Sequence, residues 1–198
     1  AQKKGLVEYE IVNIRDFGIG SHQIVDDTPY GGGVGMVLKP EVLTAALQSV
    51  KTKASHVILT SASGIPYTQV KAKKYVQLEH LIVVCGHYEG VDQRFIDLYV
   101  DEEISIGDYV LTGGELPAMV IADSITRLIK GVLEKSEATE KESYENGLLE
   151  HPHYTRPAVF ENKTVPEVLT SGDHKKIDAW RLNESVAKTK KNRPDLLS

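Results

Sequence analysis

Apolar positions along this chain fall into two kinds of pattern. Unbroken apolar runs occur at His56–Thr60 (HVILT) and Leu81–Cys85 (LIVVC). Short runs of this kind, bounded by turn residues, mark strands buried on both faces. Helically spaced runs lie between and after them. Pro40–Lys51 puts Val42, Leu43, Ala46, Leu47 and Val50 on one face, with Pro40 near the first helical position. Tyr67–Gln77 reads as a polar, Lys-rich helix, Asp92–Tyr99 as a short one and Leu116–Lys130 as a long, largely apolar one. Leu6–Ile14 alternates and is β-branched, which predicts a strand, and Glu103–Ile106 and Tyr109–Thr112 predict two more. Strands alternating with helices predict an α/β fold, a mostly parallel sheet with helices on both faces.

The pattern changes after Lys130. Gly131–Leu149 is acidic and has no buried-strand signature, so it reads as an exposed linker. Residues 151–198 carry Pro152, Pro157, Pro166 and Pro194 and a helical stretch near Asp173–Lys188, the pattern of a small, mainly helical domain. The expected organisation is a domain over 1–133, a linker over 134–150 and a second domain over 151–198. With 198 residues, 41% of them apolar and 26% charged, the composition is that of an ordinary globular chain. Its one cysteine, Cys85, excludes an intrachain disulfide framework and a Cys-rich zinc site. No run reaches the roughly 18–20 apolar residues of a membrane span, and no signal peptide is visible, so a cytoplasmic location is expected.

Charge adds a partner class. The net charge of −5 is unevenly spread: residues 1–133 hold 12 basic and 16 acidic side chains, and residues 151–198 hold 9 basic and 6 acidic. Within 174–193 there are 7 basic and 2 acidic residues. A basic tail on an acidic body is either a phosphate-binding surface or a solvated helix face.

Glycine-rich loops at 60–64, 86–90 and 107–114 follow strands or precede helices. Ligands of open α/β sheets sit beyond the carboxyl ends of the strands, and glycine lets the backbone approach them closely. Each loop alone is explained by a tight turn; three of them point to one shared pocket. The phosphate-binding string Gly-x4-Gly-Lys-[Ser/Thr] is missing, and Leu38 stands where a dinucleotide motif starting at Gly33-Val34-Gly35 needs its third glycine. Kinase and nicotinamide chemistry are therefore disfavoured. His151-Pro152-His153 offers two imidazoles with no third ligand placed by sequence, so no metal site is expected there. Cys85 ends an apolar strand and reads as an inert core thiol.

Five strings, taken in order, resemble one family: VDDTPYGGGVGM (25–36), VVCGHYEGVDQR (83–94), DEEISIGDYVLTGGELPAMVIADSITR (101–127), GLLEHPHYTRP (147–157) and VLTSGDHKKIDAWR (168–181). They are similar to the bacterial tRNA (guanine-N1)-methyltransferases, which methylate the guanosine just 3′ of the anticodon. The resemblance implies a deep trefoil knot in the α/β domain, which periodicity does not reveal. It implies a homodimer with active sites at the interface, the linker of one subunit lying against the donor pocket of the other. It implies S-adenosylmethionine as methyl donor, with magnesium as a further candidate. The donor loops carry over to Leu59, Thr60 and Ser61; Gly86, Tyr88 and Gly90; and Ile106, Tyr109, Leu111, Gly113, Gly114 and Pro117. Against the family pattern, the resemblance implies a further strand and helix ahead of Ala1 and more of the second domain after Ser198.

Guanine N1 carries a proton, so a base must remove it, and the charge that develops on O6 needs a cationic or donor partner. The family base is an aspartate just before a Ser-aromatic pair; Ser143-Tyr144 fixes the register, and Glu142 stands in that place with one methylene more. By the same resemblance Arg127 supports O6, and Glu89 matches an acid near the target guanine that is associated with a magnesium requirement. His87 stands where some members have Arg, and no role carries over to it. Asp26, Asp27 and Tyr30 read as lid or interface residues. For the tRNA anticodon loop, the resemblance implies His153, Tyr154, Arg156, Ser171, Gly172, Asp173, His174 and Arg181. A helix N-terminus after Asp173 suits phosphate; Trp180 reads as RNA stacking or as core of a small domain. Two alternatives stand beside the enzyme: a catalytically impaired RNA-binding homologue, and a knotted methyltransferase with another RNA target.

Overall fold

The computed structural model describes residues 1–134 and 142–197, and the chain divides into two compact units, Ala1–Leu133 and Glu134–Ser198. The centre of the first unit is a three-stranded parallel sheet of β3 (Ser55–Pro66), β4 (His80–Cys85) and β5 (Glu102–Ser105), in the order β4-β3-β5. Ahead of it, β1 (Asp26–Asp27) and β2 (Val37–Leu38) pair antiparallel at the base of the first glycine loop. The helices are α1 (Pro40–Val50), α2 (Gln69–Tyr75), α3 (Gln93–Tyr99) and α4 (Glu115–Thr126).

Both faces of the sheet are covered, as the unbroken apolar runs require. Val57 of β3 joins Val42, Leu43, Leu47 and Phe95 in one core, against α1 and α3. The next residue, Ile58, points the other way and joins Tyr75, Ile104 and Ile121 in a second core, against α2 and α4. Neighbouring strand residues thus serve opposite cores, the period-2 rule of a strand.

Two expected strands are not formed. Leu6–Ile14 is extended but pairs with nothing in the described residues; Ile11 is 95% exposed, and a short 3-10 turn at Ile14–Phe17 ends the segment. Alternation marks a half-buried strand only where a neighbour completes the ladder. The segment instead bonds to the end of α4, through Tyr9 Oη with Thr126 Oγ1. Tyr109–Thr112 is an exposed bend, with Tyr109 and Val110 both in water and no partner strand among the described residues. The helix expected over Leu116–Lys130 stops at Thr126 and continues as turns.

In the second unit, β6 (Val159–Phe160) and β7 (Lys163–Thr164) form a small hairpin. The 19-residue α5 (His174–Asn192) carries the unit. The segment expected as a linker splits: its residues 135–141 lie outside the described ones, and Tyr144–Leu149 packs into the second unit. There Tyr144 N–H donates to Leu148 O (2.8 Å), and buried Leu149 donates its N–H to Thr189 Oγ1 (2.8 Å).

Candidate active site

The three glycine loops meet beside Thr60, midway along β3, and the carboxyl end of β4, and glycine is the reason they can. A Cβ on Gly114 would lie 2.1 Å from Thr60 Oγ1 and 2.7 Å from both Cys85 Cα and Gly86 N. Two of these atoms are backbone and cannot yield. Gly114 N–H donates to Gly86 O (2.8 Å), His87 bridges Gly113, and the Thr60 hydroxyl faces Val84 O (3.2 Å) and Gly114 O (3.4 Å). The start of α4 is therefore pinned onto the middle of β3 and the end of β4. Within β3 the pairing to Ile104 jumps from Thr60 to Ile65, so residues 61–64 leave the ladder as a bulge. Gly64 closes that bulge, since a Cβ there would lie 2.5 Å from Ile104 N.

The expected donor residues divide by burial. Leu59, Thr60, Gly114 and Pro117 are buried; Ser61, Gly86, Gly90, Ile106 and Gly113 are half-buried; Tyr88, Tyr109 and Leu111 are exposed. Ile106 packs against the core of Ile58 and Ile121. Burial, and then the charge of Glu115, pushes the Cys85 thiol up to about 11, so it stays protonated and unreactive at neutral pH.

The first glycine loop joins this group. Gly31, Gly32, Gly33 and Gly35 all have positive φ. Beyond them, Glu89 N–H donates to Met36 O (3.0 Å) and Leu38 N–H to Gly90 O (3.0 Å). A Cβ on Gly35 would lie 2.4 Å from Glu89 Cγ and Oε1, so the Glu89 side chain rests on the bare backbone of that loop. At the loop's base Asp27 is paired with Lys39 at 3.0 Å, which holds its carboxyl below the usual range, while Tyr30 is 99% exposed and Asp26 is half-buried in β1.

Arg127 is not among these groups. It is the residue after α4, with its N–H on Asp123 O at 3.1 Å. The donor-loop glycines stand before α4, and a 12-residue helix is about 18 Å long. Within one chain, then, Arg127 and the loops lie at opposite ends of α4. Between them Leu116, Met119 and Val120, spaced i, i+3, i+4, are 58%, 65% and 49% exposed.

Glu142 lies in the second unit. It lines a cavity of about 290 Å³ with Asn146, Leu148, Leu149, Glu150, His151, Asp178, Arg181, Leu182 and Ser185. Spacing 178, 181, 182, 185 is one face of α5, so helical periodicity would have found Asp178, which sequence reasoning passed over along with Asn146 and Glu150. Arg181 Nη1 lies 3.4 Å from Asp178 Oδ1 and His153 Nε2 2.9 Å from Glu150 Oε1. Trp180 is half-buried, its ring 6.2 Å from that of Tyr154 and 6.4 Å from that of His151. Asp173 caps α5 by accepting from Lys176 N–H (3.2 Å). Ser171, Gly172 and His174 are exposed around that cap, Gly172 with φ 74°, and Arg156 is exposed ahead of the β6–β7 hairpin.

Comparison with known proteins gives one consistent result. The family model described as tRNA (Guanine-1)-methyltransferase TrmD matches residues 1–198. Among curated relatives, a protein of Brevibacillus brevis is 53% identical over 198 residues, one of Anoxybacillus flavithermus 52% over 200, and one of Bacillus subtilis 51% over 200. All three are named tRNA (guanine-N(1)-)-methyltransferase, and each match covers 100% of this chain and 82% of the relative.

Proposed function

The chain belongs to the tRNA (guanine-1)-methyltransferase family, and from that premise we propose how its residues divide the work. It is a methyltransferase that modifies N1 of guanine in tRNA. The target we assign is the guanosine immediately 3′ of the anticodon.

The observation that carries the reading is the approach of Gly114 to Thr60, Cys85 and Gly86, which leaves no room for a Cβ at 114. Loops that close leave backbone N–H and C=O groups as ligands for a bent, compact donor. Leu59–Ser61, Gly86–Gly90 and Ile106–Pro117 are the residues that would hold S-adenosylmethionine. When bound, it supplies an electrophilic methyl group on a sulfonium sulfur. The close passage of Gly64 over Ile104 and of Gly114 over Cys85 fits a chain threaded through itself, the family's trefoil knot.

Glu142 takes the proton from guanine N1, which frees the lone pair as nucleophile. Arg127 faces the charge that grows on O6. Glu89, seated on Gly35, orients the target base, and it is the candidate ligand for magnesium, which one carboxylate, phosphate and water suffice to hold. His153, Tyr154, Arg156, the Ser171–His174 cap and Arg181 contact the anticodon loop, and Lys175, Lys176 and Lys188 supply sequence-independent attraction. The reaction belongs where tRNA is made, in the cytoplasm; no helix of the described residues is long and apolar enough to cross a membrane.

The geometry of α4 supports a homodimer. Arg127 and the donor loops lie at its opposite ends, and the exposed Leu116, Met119 and Val120 form an apolar stripe along it. A two-fold partner burying that stripe brings one chain's Arg127 towards the other's loops. The test mixes Arg127→Ala with Gly113→Val, each inactive alone. Each mixed dimer then keeps one site with both parts intact. With random mixing, activity should return to about a quarter of wild type. No return, with mixed dimers confirmed by mass, would place both parts within one chain.

A further inference from the structure

Among the described residues, Glu150, His151 and His153 form the one grouping in which three metal-type ligand atoms come together, all within 4.8 Å of one another. Sequence alone left this pair of histidines without a third ligand. The fold supplies it in Glu150, whose Oε1 stands 2.9 Å from His153 Nε2. The two imidazoles lie side by side, tilted by 49°, with centroids 4.7 Å apart. His151 Nδ1 lies 3.1 Å from Pro152 O. A hydrogen bond there puts the ring proton on Nδ1 and turns the Nε2 lone pair outward, the outer-shell arrangement of metal-bound histidine. Glu150 is itself held from two sides: its N–H donates to Ser143 Oγ (3.0 Å) and its carbonyl accepts from Lys188 Nζ (3.0 Å).

We propose that Glu150, His151 and His153 bind a divalent ion of the zinc class, with one coordination position left open to water or a phosphate oxygen. Two imidazoles and one carboxylate suit zinc, cobalt or nickel; magnesium and calcium take oxygen ligands. Ligands 2.0–2.2 Å from a tetrahedral ion lie about 3.3 Å from one another, so separations of up to 4.8 Å must close by up to about 1.5 Å. The His153 side chain is 65% exposed and has room to make that move. The site is independent of the roles given above to the donor loops, and it differs from the magnesium candidate at Glu89 in both place and chemistry.

The test is calorimetric titration of the full chain, free of tRNA, with zinc chloride, and separately with magnesium chloride. Wild type should bind one zinc ion, with affinity in the micromolar range or better, and should take up no magnesium at this site. His151→Asn combined with His153→Asn should weaken zinc binding at least tenfold, and Glu150→Gln about tenfold. His22→Asn, at an exposed histidine far along the chain, should leave it unchanged. Circular dichroism shows whether each variant keeps its fold. Cobalt loading gives a second readout: wild type should show the visible bands of a four-coordinate nitrogen–oxygen site, and the double variant should not. No zinc binding by wild type, or the same affinity in a folded double variant, would overturn the site.

Discussion

Two single positions, one in each unit, carry the sharpest predictions. Glu142 is one methylene longer than the aspartate of the resembling family, and it lines a cavity with Arg181, Asp178 and His151. Its replacement by glutamine keeps size and hydrogen bonding and removes the proton acceptor. Methyl transfer should fall by about 10²–10⁴, with donor and tRNA affinities within a few-fold of wild type. Single-turnover rates beside equilibrium binding would check this; turnover near wild type would remove Glu142 from the base role. Gly114 is the other position. Even Gly114→Ala places a methyl against Thr60, Cys85 and Gly86, and should destabilise the first unit by about 1–3 kcal/mol in denaturant titration, with loss of donor binding. Glycine at 114 was visible in the sequence as part of a loop. That its absent side chain is what lets two strands touch a helix start was not, because such a contact joins residues far apart in the chain.

At the scale of elements, the buried strands and α1 were legible because an unbroken apolar run, or a face repeating at 3.6 residues, admits few alternatives. Leu6–Ile14 misled for the opposite reason: alternation says which side faces a core, and says nothing about whether a neighbouring strand exists. The bulge after Thr60 was equally hidden, since it arises from pairing with β5. One element contact yields a pH prediction. Glu102 of β5 is half-buried, which raises its carboxyl. Hydrogen bonds from Lys71 and His56, the Lys71 charge and the Tyr75 hydroxyl outweigh burial and hold the pKa below its ordinary 4.5. The same burial and the Glu102 charge push the Tyr75 phenol well above its ordinary range, so it stays a donor. A depressed folded pKa gives stability that is present above the unfolded value and lost as pH falls through the folded one. Unfolding free energy should therefore drop as pH falls below about 4.5, and Glu102→Gln should flatten that acid limb while lowering stability at neutral pH. An unchanged acid limb in Glu102→Gln would show that the network does not stabilise the sheet.

For the whole molecule, the sequence carried the family through five ordered strings, and with it a list of residues, but not their arrangement. Arg127 and the donor loops are close in sequence and stand at opposite ends of α4, which is why the proposed site draws on a second chain. Likewise Glu142 reads as one linker acid among six over 134–150, and only folding places it in a cavity with a face of α5. What the molecule is held to do reduces to one atom of one nucleoside. Unmodified tRNA transcripts carrying guanosine or adenosine 3′ of the anticodon can be incubated with the protein and S-adenosylmethionine, digested, and the nucleosides resolved by mass spectrometry. The guanosine transcript should yield 1-methylguanosine at that position and the adenosine transcript no methylated product. Methylation of another atom, of another position, or of both transcripts alike would contradict the assignment.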